Sequence, residues 1–233
     1  MNPEYKPNIF LAGAPKCGTT SFANWLSEHP ECYVSPKKEP HFFGDFLRKK
    51  MSLWEYEDLF QGASSRHAAR IDASTSYFTK PDAIADILEY NPDARFIIML
   101  RNPLELVRSL HSEVAYGGAE TVASFEKAWG MQGLRKQGKY IPLSCNSPEM
   151  LFYWDQALLG NAMQSLLNQV EASGCHWIFM EDLKANPRVV YLNVLEFLGV
   201  EDDNRKDFSA KNQSKKHRFP RLNRVLRTAG RVR

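Results

Sequence analysis

Asn8-Ile-Phe-Leu-Ala12, Gly13-Ala-Pro-Lys16-Cys17-Gly18-Thr19-Thr20 and Ser21-Phe22-Ala-Asn-Trp25-Leu26-Ser-Glu28 decide the fold. The first group is a short apolar run that stops at a glycine, the pattern of a buried strand. The second is a turn of small residues. In the third, Phe22, Trp25 and Leu26 recur at helical spacing, and the pattern stops before Pro30. Strand, glycine loop, helix is the opening unit of a parallel α/β sheet.

The rest of the chain continues the alternation. Strands are expected at 32–35, 70–73, 95–100 and 176–180, the clearest being Arg95-Phe-Ile-Ile-Met-Leu100. Helices are expected at 54–60, at 81–90 with Pro81 in the first turn, from Asn102-Pro103 to about 116, and at 187–198 closed by Gly199. Ser147-Pro148-Glu149 reads as the start of one long helix to about 171. Between them, 117–148 lacks strong apolar runs and reads as an insertion or lid. There is no internal repeat. The fold class is α/β with a central, mainly parallel sheet, and ligands of such sheets bind outside the carboxyl ends of the strands.

At 233 residues and 26.7 kDa, with 43% hydrophobic and 24% charged residues, the chain suits a single soluble domain over 1–233 and excludes disorder over most of its length. No run approaches the roughly 18 apolar residues that span a bilayer. The apolar stretch at 9–14 is too short for a signal-peptide core, so the chain reads as cytoplasmic. Cys17, Cys32, Cys145 and Cys175 form no CxxC pair, which argues against a structural zinc or a thioredoxin motif and for free thiols. The net charge of +3 is uneven. Residues 205–233 hold eleven Lys and Arg against the single acid Asp207, while the preceding residues carry more acids than bases. Such a tail binds a polyanion or anionic lipid, lines an anionic ligand's pocket, or is a solvated terminus.

The loop after the first strand resembles the phosphate loop GxxxxGK[ST] but breaks its rule. Thr19 stands where the lysine belongs, and the lysine lies earlier, at Lys16. The backbone part survives, since the amides of Gly18, Thr19 and Thr20 at a helix N-terminus favour an anion. No strand ending in a metal-binding acid follows, which argues against magnesium-nucleotide chemistry. The loop therefore reads as a site for a phosphate-like group handled without metal. At these residues the sequence resembles the sulfotransferase family that uses 3′-phosphoadenosine 5′-phosphosulfate (PAPS). The resemblance implies a P-loop-like three-layer sandwich. It also implies that Lys16, Cys17, Gly18, Thr19, Thr20 and Ser21 hold the 5′-phosphosulfate, with Lys16 stabilising the bridging oxygen as sulfate departs.

Arg101-Asn-Pro-Leu-Glu105 ends the strongest strand, and Ser109 follows in the next helix. Arginine offers a bidentate charged clamp and serine a hydroxyl. The pair resembles the family's 3′-phosphate site, and two anion sites fit PAPS better than ATP. On the acceptor side, a hydroxyl attacking sulfur must lose a proton, and Lys38-Glu39-Pro40-His41-Phe42-Phe43 supplies two groups able to take it. This stretch resembles the KE-x-HFF motif of heparan-type glycan sulfotransferases, which implies Glu39 as general base; His41 is the second candidate. Asp72-Ala73-Ser74-Thr75-Ser76-Tyr77-Phe78 takes the place of the family's EKTPxYF segment, but the family lysine falls on Ala73. Asp72 is a candidate for orienting acceptor hydroxyls or for a structural role. Phe42, Phe43, Trp54 and Tyr77 either stack on a sugar or belong to the core.

The run Glu181-Asp182-Leu183, Asn186-Pro187, Phe197-Leu-Gly199 resembles the family's EDL…NP…FLG scaffold. In the basic loop 212–218, Lys215 and Arg218 are candidates for the donor's 3′-phosphate, although the family's lysine–glycine pair is absent there. The expected function is transfer of a sulfuryl group from PAPS, without metal, to a hydroxyl, most naturally on a carbohydrate. Nucleic acid is not expected as a partner, and peripheral membrane contact through the basic tail is open. The competing readings are a P-loop nucleotide kinase, which Thr19 contradicts, and a non-catalytic polyanion-binding module, which leaves the loop at Gly13 unexplained.

Overall fold

The computed structural model describes residues 5–44 and 51–209. Five strands form one wholly parallel sheet: β1 (Ile9–Gly13), β2 (Cys32–Val34), β3 (Ala69–Asp72), β4 (Arg95–Leu100) and β5 (Cys175–Phe179), in the order β2-β3-β1-β4-β5. The central position of β1 explains its composition. A strand covered on both faces reads as a continuous apolar run, and all five of its residues are buried.

The connections fix the layers. From β1 the chain moves one way to β2 through α1 (Thr19–Ser27), and from β3 it moves the other way to β4 through α3 (Pro81–Tyr90). Crossovers between parallel strands are right-handed, so opposite lateral directions put α1 and α3 on opposite faces of the sheet. This is the three-layer arrangement expected. The reversal also creates a switch point at the carboxyl end of β1, where such sheets bind ligands. A register shift between Leu11 and Gly13 turns the chain out of the β1–β4 ladder there, and the Ala14 amide still reaches the Met99 carbonyl at 2.7 Å.

The described residues cluster into two compact units, those up to Asn102 with 159–209, and Pro103–Leu158. The first holds the sheet, α1, α2 (Leu53–Asp58), α3, α8 (Leu159–Leu167), α9 (Met180–Ala185) and α10 (Pro187–Leu198). Its core is aromatic around Phe10, whose ring stacks on Phe96 at 5.8 Å and meets Phe43 edge-on at 5.9 Å. After α10, Gly199 takes the left-handed conformation (φ 71°) that ends the helix. Residues 201–209 then lie along α1: Trp25 Nε1 donates to the Ser209 carbonyl and its ring meets Phe208 edge-on at 5.2 Å, while Arg205 pairs with Glu28.

The second unit holds α4 (Pro103–Tyr116), α5 (Phe125–Gly130), α6 (Gln132–Lys136) and α7 (Tyr153–Ala157). Its centre is a buried ion pair, with Arg135 donating twice to Glu120 at 2.7 and 2.9 Å and Tyr153 adding its hydroxyl at 3.0 Å. Two short helices thus occupy part of the stretch expected to be irregular. The long helix expected from Ser147 is corrected: 148–171 breaks into a 3₁₀ turn (Pro148–Leu151), α7 and α8. The physical reason is tertiary. Leu151 and Tyr153 are both buried, a spacing no single helical face provides, and Gln132 Oε1 takes the Trp154 amide at 2.7 Å. No helix among the described residues is long and apolar enough to cross a membrane.

Candidate active site

The loop between β1 and α1 is built as the sequence predicts. Gly18 caps α1 in the left-handed conformation (φ 85°), and a Cβ there would stand 2.9 Å from Met180 Sδ. No side chain caps the first turn and no acid stands in it. The Ser21 and Phe22 amides return to the Gly18 carbonyl, whereas those of Gly18, Thr19 and Thr20 meet no carbonyl among the described residues. These amides and the helix dipole leave a cradle suited to an anion. Lys16 stands at the bend with φ 66°, and Arg101 Nη1 donates to its carbonyl at 3.2 Å, tying the end of β4 to the loop.

Cys17 faces inward. Its amide reaches the Ala14 carbonyl, its side chain is fully buried, and burial pushes its thiol up to about 12. It shapes the loop from inside and offers neither thiol nor amide to the mouth. Ser21 retains only its hydroxyl, because its amide is spent within the turn. Ser109 lies half-buried on α4 in the second unit. Lys215 and Arg218 lie outside the described residues.

The loop after β2 carries Glu39 and His41, the two candidates for taking the acceptor's proton. Glu39 and His41 both adopt left-handed backbone, φ 52° and 50°, which side chains take up only where surrounding contacts hold them. Glu39 Oε2 pairs with His41 Nε2 at 3.1 Å. The other oxygen accepts from Thr75 Oγ1 at 3.4 Å and lies 3.9 Å from Lys38 Nζ. His41 holds the Glu39 carboxyl below the usual range, against a partial burial that works the other way. Because a carboxylate only accepts, Nε2 of His41 carries the proton, and Nδ1 faces Ser76 Oγ at 2.9 Å.

Beneath this loop lies Asp72, at zero exposure. It accepts from Ser74 Oγ at 2.6 Å, Tyr56 Oη at 2.8 Å and Tyr77 Oη at 3.1 Å. Burial raises its carboxyl, and the three hydroxyls oppose that shift. Of the two roles open to Asp72, its burial favours the structural one over orienting acceptor hydroxyls, since it is sealed from solvent. Phe43 and Tyr77 likewise belong to the core, Phe42 stacks on Tyr56 at 4.4 Å, and Trp54 is exposed. Glu181 is scaffold, accepting the Asn102 amide at 3.0 Å.

A cleft of about 260 Å³ joins the two halves of the chemistry. Thr19, Thr20 and Asn24 of α1 form one wall, and Lys38, Glu39, Ala73 and Thr75 the other. Thr19 and Thr20 of the anion cradle and the Glu39 carboxylate thus open on one space. Ala73, where the family pattern has lysine, lines that space, and Lys38 is the cation beside it. Sequence reading missed Thr75 and Ser76, the partners of Glu39 and His41; the hydroxyl-dense run Ser74-Thr75-Ser76 after a strand was the available signal.

A parallel sheet of this order, a phosphate loop with its lysine displaced to Lys16 and a carboxylate on the adjoining cleft form the pattern of a sulfotransferase domain. The chain belongs to the sulfotransferase domain family, whose model matches residues 6–222. Human carbohydrate sulfotransferase 15 is 29% identical over 154 residues, covering 47% of this chain and 27% of its own. The chain thus spans about a quarter of the length of that curated relative. A crystal structure of a sulfotransferase from Alicyclobacillus acidocaldarius superposes with a TM-score of 0.75 at 26% identity, covering 97% of this chain and 92% of its own. Mouse sulfotransferase SULT7A1, solved with PAP, shares the fold at 17% identity and a TM-score of 0.52, covering 85% of this chain and 60% of its own.

Proposed function

We propose that the chain transfers a sulfuryl group from PAPS to a hydroxyl of a carbohydrate acceptor. The observation that carries the reading is the single cleft shared by the uncapped N-terminus of α1 and the Glu39 carboxylate. The donor fits the residues present: an uncapped helix start, a glycine whose Cβ would collide, and a lysine at the bend suit a phosphate oxygen approaching backbone. When bound, PAPS supplies the activated sulfuryl group. Lys16 and the amides of Gly18, Thr19 and Thr20 hold its 5′-phosphate end and stabilise the charge that grows as the phosphate leaves. Arg101 at the end of β4 takes the 3′-phosphate. The acceptor oxygen bonds to sulfur as the sulfur–oxygen bond to the leaving phosphate breaks, and the acceptor's proton passes to Glu39. His41 keeps Glu39 ionised and aimed. The carbohydrate class is supported by the likeness to a carbohydrate sulfotransferase.

Calorimetric titration with 3′-phosphoadenosine 5′-phosphate without magnesium, alongside ATP with magnesium, tests the donor. Tight binding of the former and weak binding of the latter is expected. Preference for magnesium-ATP overturns the reading in favour of a kinase.

A further inference from the structure

We infer that Asp72 is a positioning residue for Glu39: its carboxylate fixes the protons of Ser74 and Tyr77, so that both hydroxyls turn lone pairs toward the loop carrying Glu39 and His41. The inference rests on the reading of Glu39 as the base. Each hydroxyl has one proton, and in both it goes to Asp72, from Ser74 to Oδ1 and from Tyr77 to Oδ2. Ser74 Oγ is then obliged to accept, and it receives the His41 amide at 3.0 Å. Tyr77 Oη does the same for the Phe42 amide at 2.9 Å and the Phe43 amide at 3.4 Å.

The three accepted amides lie just beyond Glu39, within or next to the stretch whose backbone is left-handed at Glu39 and His41. A loop in that conformation keeps its shape only if its amides have fixed partners. Without them His41 leaves Glu39 and the carboxylate loses its aim. An acceptor-only group is required at position 72. An amide there places an NH₂ against one hydroxyl, which must accept from it and turn its own proton toward the loop N–H, setting two donors face to face.

Tyr56 supplies the control. It donates to the same Oδ2 of Asp72 and, among the described residues, makes no hydrogen bond to the loop backbone. Tyr56→Phe and Tyr77→Phe each remove one hydroxyl from Asp72, but only the second breaks the relay. The experiment measures the titration of the Glu39 carboxyl by carbon NMR and the exchange of the His41 and Phe42 amides. Lys38, His41 and Thr75, the groups facing Glu39, stay intact in every variant.

In Asp72→Asn and Tyr77→Phe the Glu39 carboxyl should rise toward the usual range, and the Phe42 amide should exchange at least about tenfold faster. Tyr56→Phe should leave both as in the native chain. An equal shift in the two tyrosine variants, or none in Tyr77→Phe, overturns the relay. The tyrosine pair decides the matter even where Asp72→Asn does not fold. Undiminished sulfuryl transfer by Glu39→Gln would overturn the base instead and leave the relay standing.

Discussion

Glu39 is kept charged by a neighbour more than by solvent, and this gives its chemistry a distinctive pH signature. Its carboxyl is depressed first by the hydrogen bond from His41. If it is the base, the acid limb of turnover lies below the ordinary value of about 4.3. His41→Ala should move that limb upward, as a pH–rate profile would show. The sign for stability is the same: the contribution is present above the unfolded carboxyl's range and is lost as pH falls through the folded value. Glu39→Gln should lower turnover by about 10²–10⁴-fold with donor binding preserved. Lys16→Ala should cost about 10²–10³-fold without unfolding the chain, and near-normal turnover would remove Lys16 from the mechanism. Lys16, Glu39 and Arg101 were legible as candidates because their chemical type and their place beside a glycine or a strand end suggest a purpose. The Asp72 cluster was not, because it depends on burial and on the packing of Tyr56 and Tyr77 against a distant loop. A strand-end acid reads alike whether it faces a cleft or a core.

At the scale of elements, β1 and β4 were legible because each is a mainly apolar run bounded by polar or turn residues, and β2, β3 and β5 because they complete the strand–helix alternation. β4 falls on the very residues expected, and the others shift by a residue or so. The region from 148 to 167 was not, since nothing local announces that Tyr153 is drawn into the Glu120–Arg135 pair. That pair makes the second unit sensitive to a single change. Removing one partner of a buried ion pair strands the other charge, so Glu120→Ala should destabilise by about 3–5 kcal/mol in denaturant unfolding, with protection of α5 and α6 amides lost first. In the first unit, Gly18→Ala should damage the start of α1. The positive φ and the Met180 sulfur both oppose a Cβ, so donor affinity should fall even where the sheet remains intact.

For the whole molecule, donor binding should appear as stability. A ligand at a hundred times its dissociation constant adds about 2.7 kcal/mol to the folded state. For a chain of this size that raises the melting temperature by roughly 5–10 °C. 3′-Phosphoadenosine 5′-phosphate should give that shift, and Arg101→Ala should blunt it at equal ligand concentration, as scanning fluorimetry would read. The uneven charge should give a second global signature: if the 205–233 stretch attracts polyanions, heparin retention should fall with rising salt and should survive Lys16→Ala.

The inward-facing thiol of Cys17 makes the protein its own stopwatch. At zero exposure, and with burial pushing the thiol up to about 12, it should resist alkylating reagents while the loop keeps its shape. Cys145, half-buried, should be labelled first, and the buried Cys32 and Cys175 should be protected for as long as the sheet is intact. The delay before a second label arrives at Cys17 therefore times the breathing of the donor cradle, and a bound nucleotide should lengthen it.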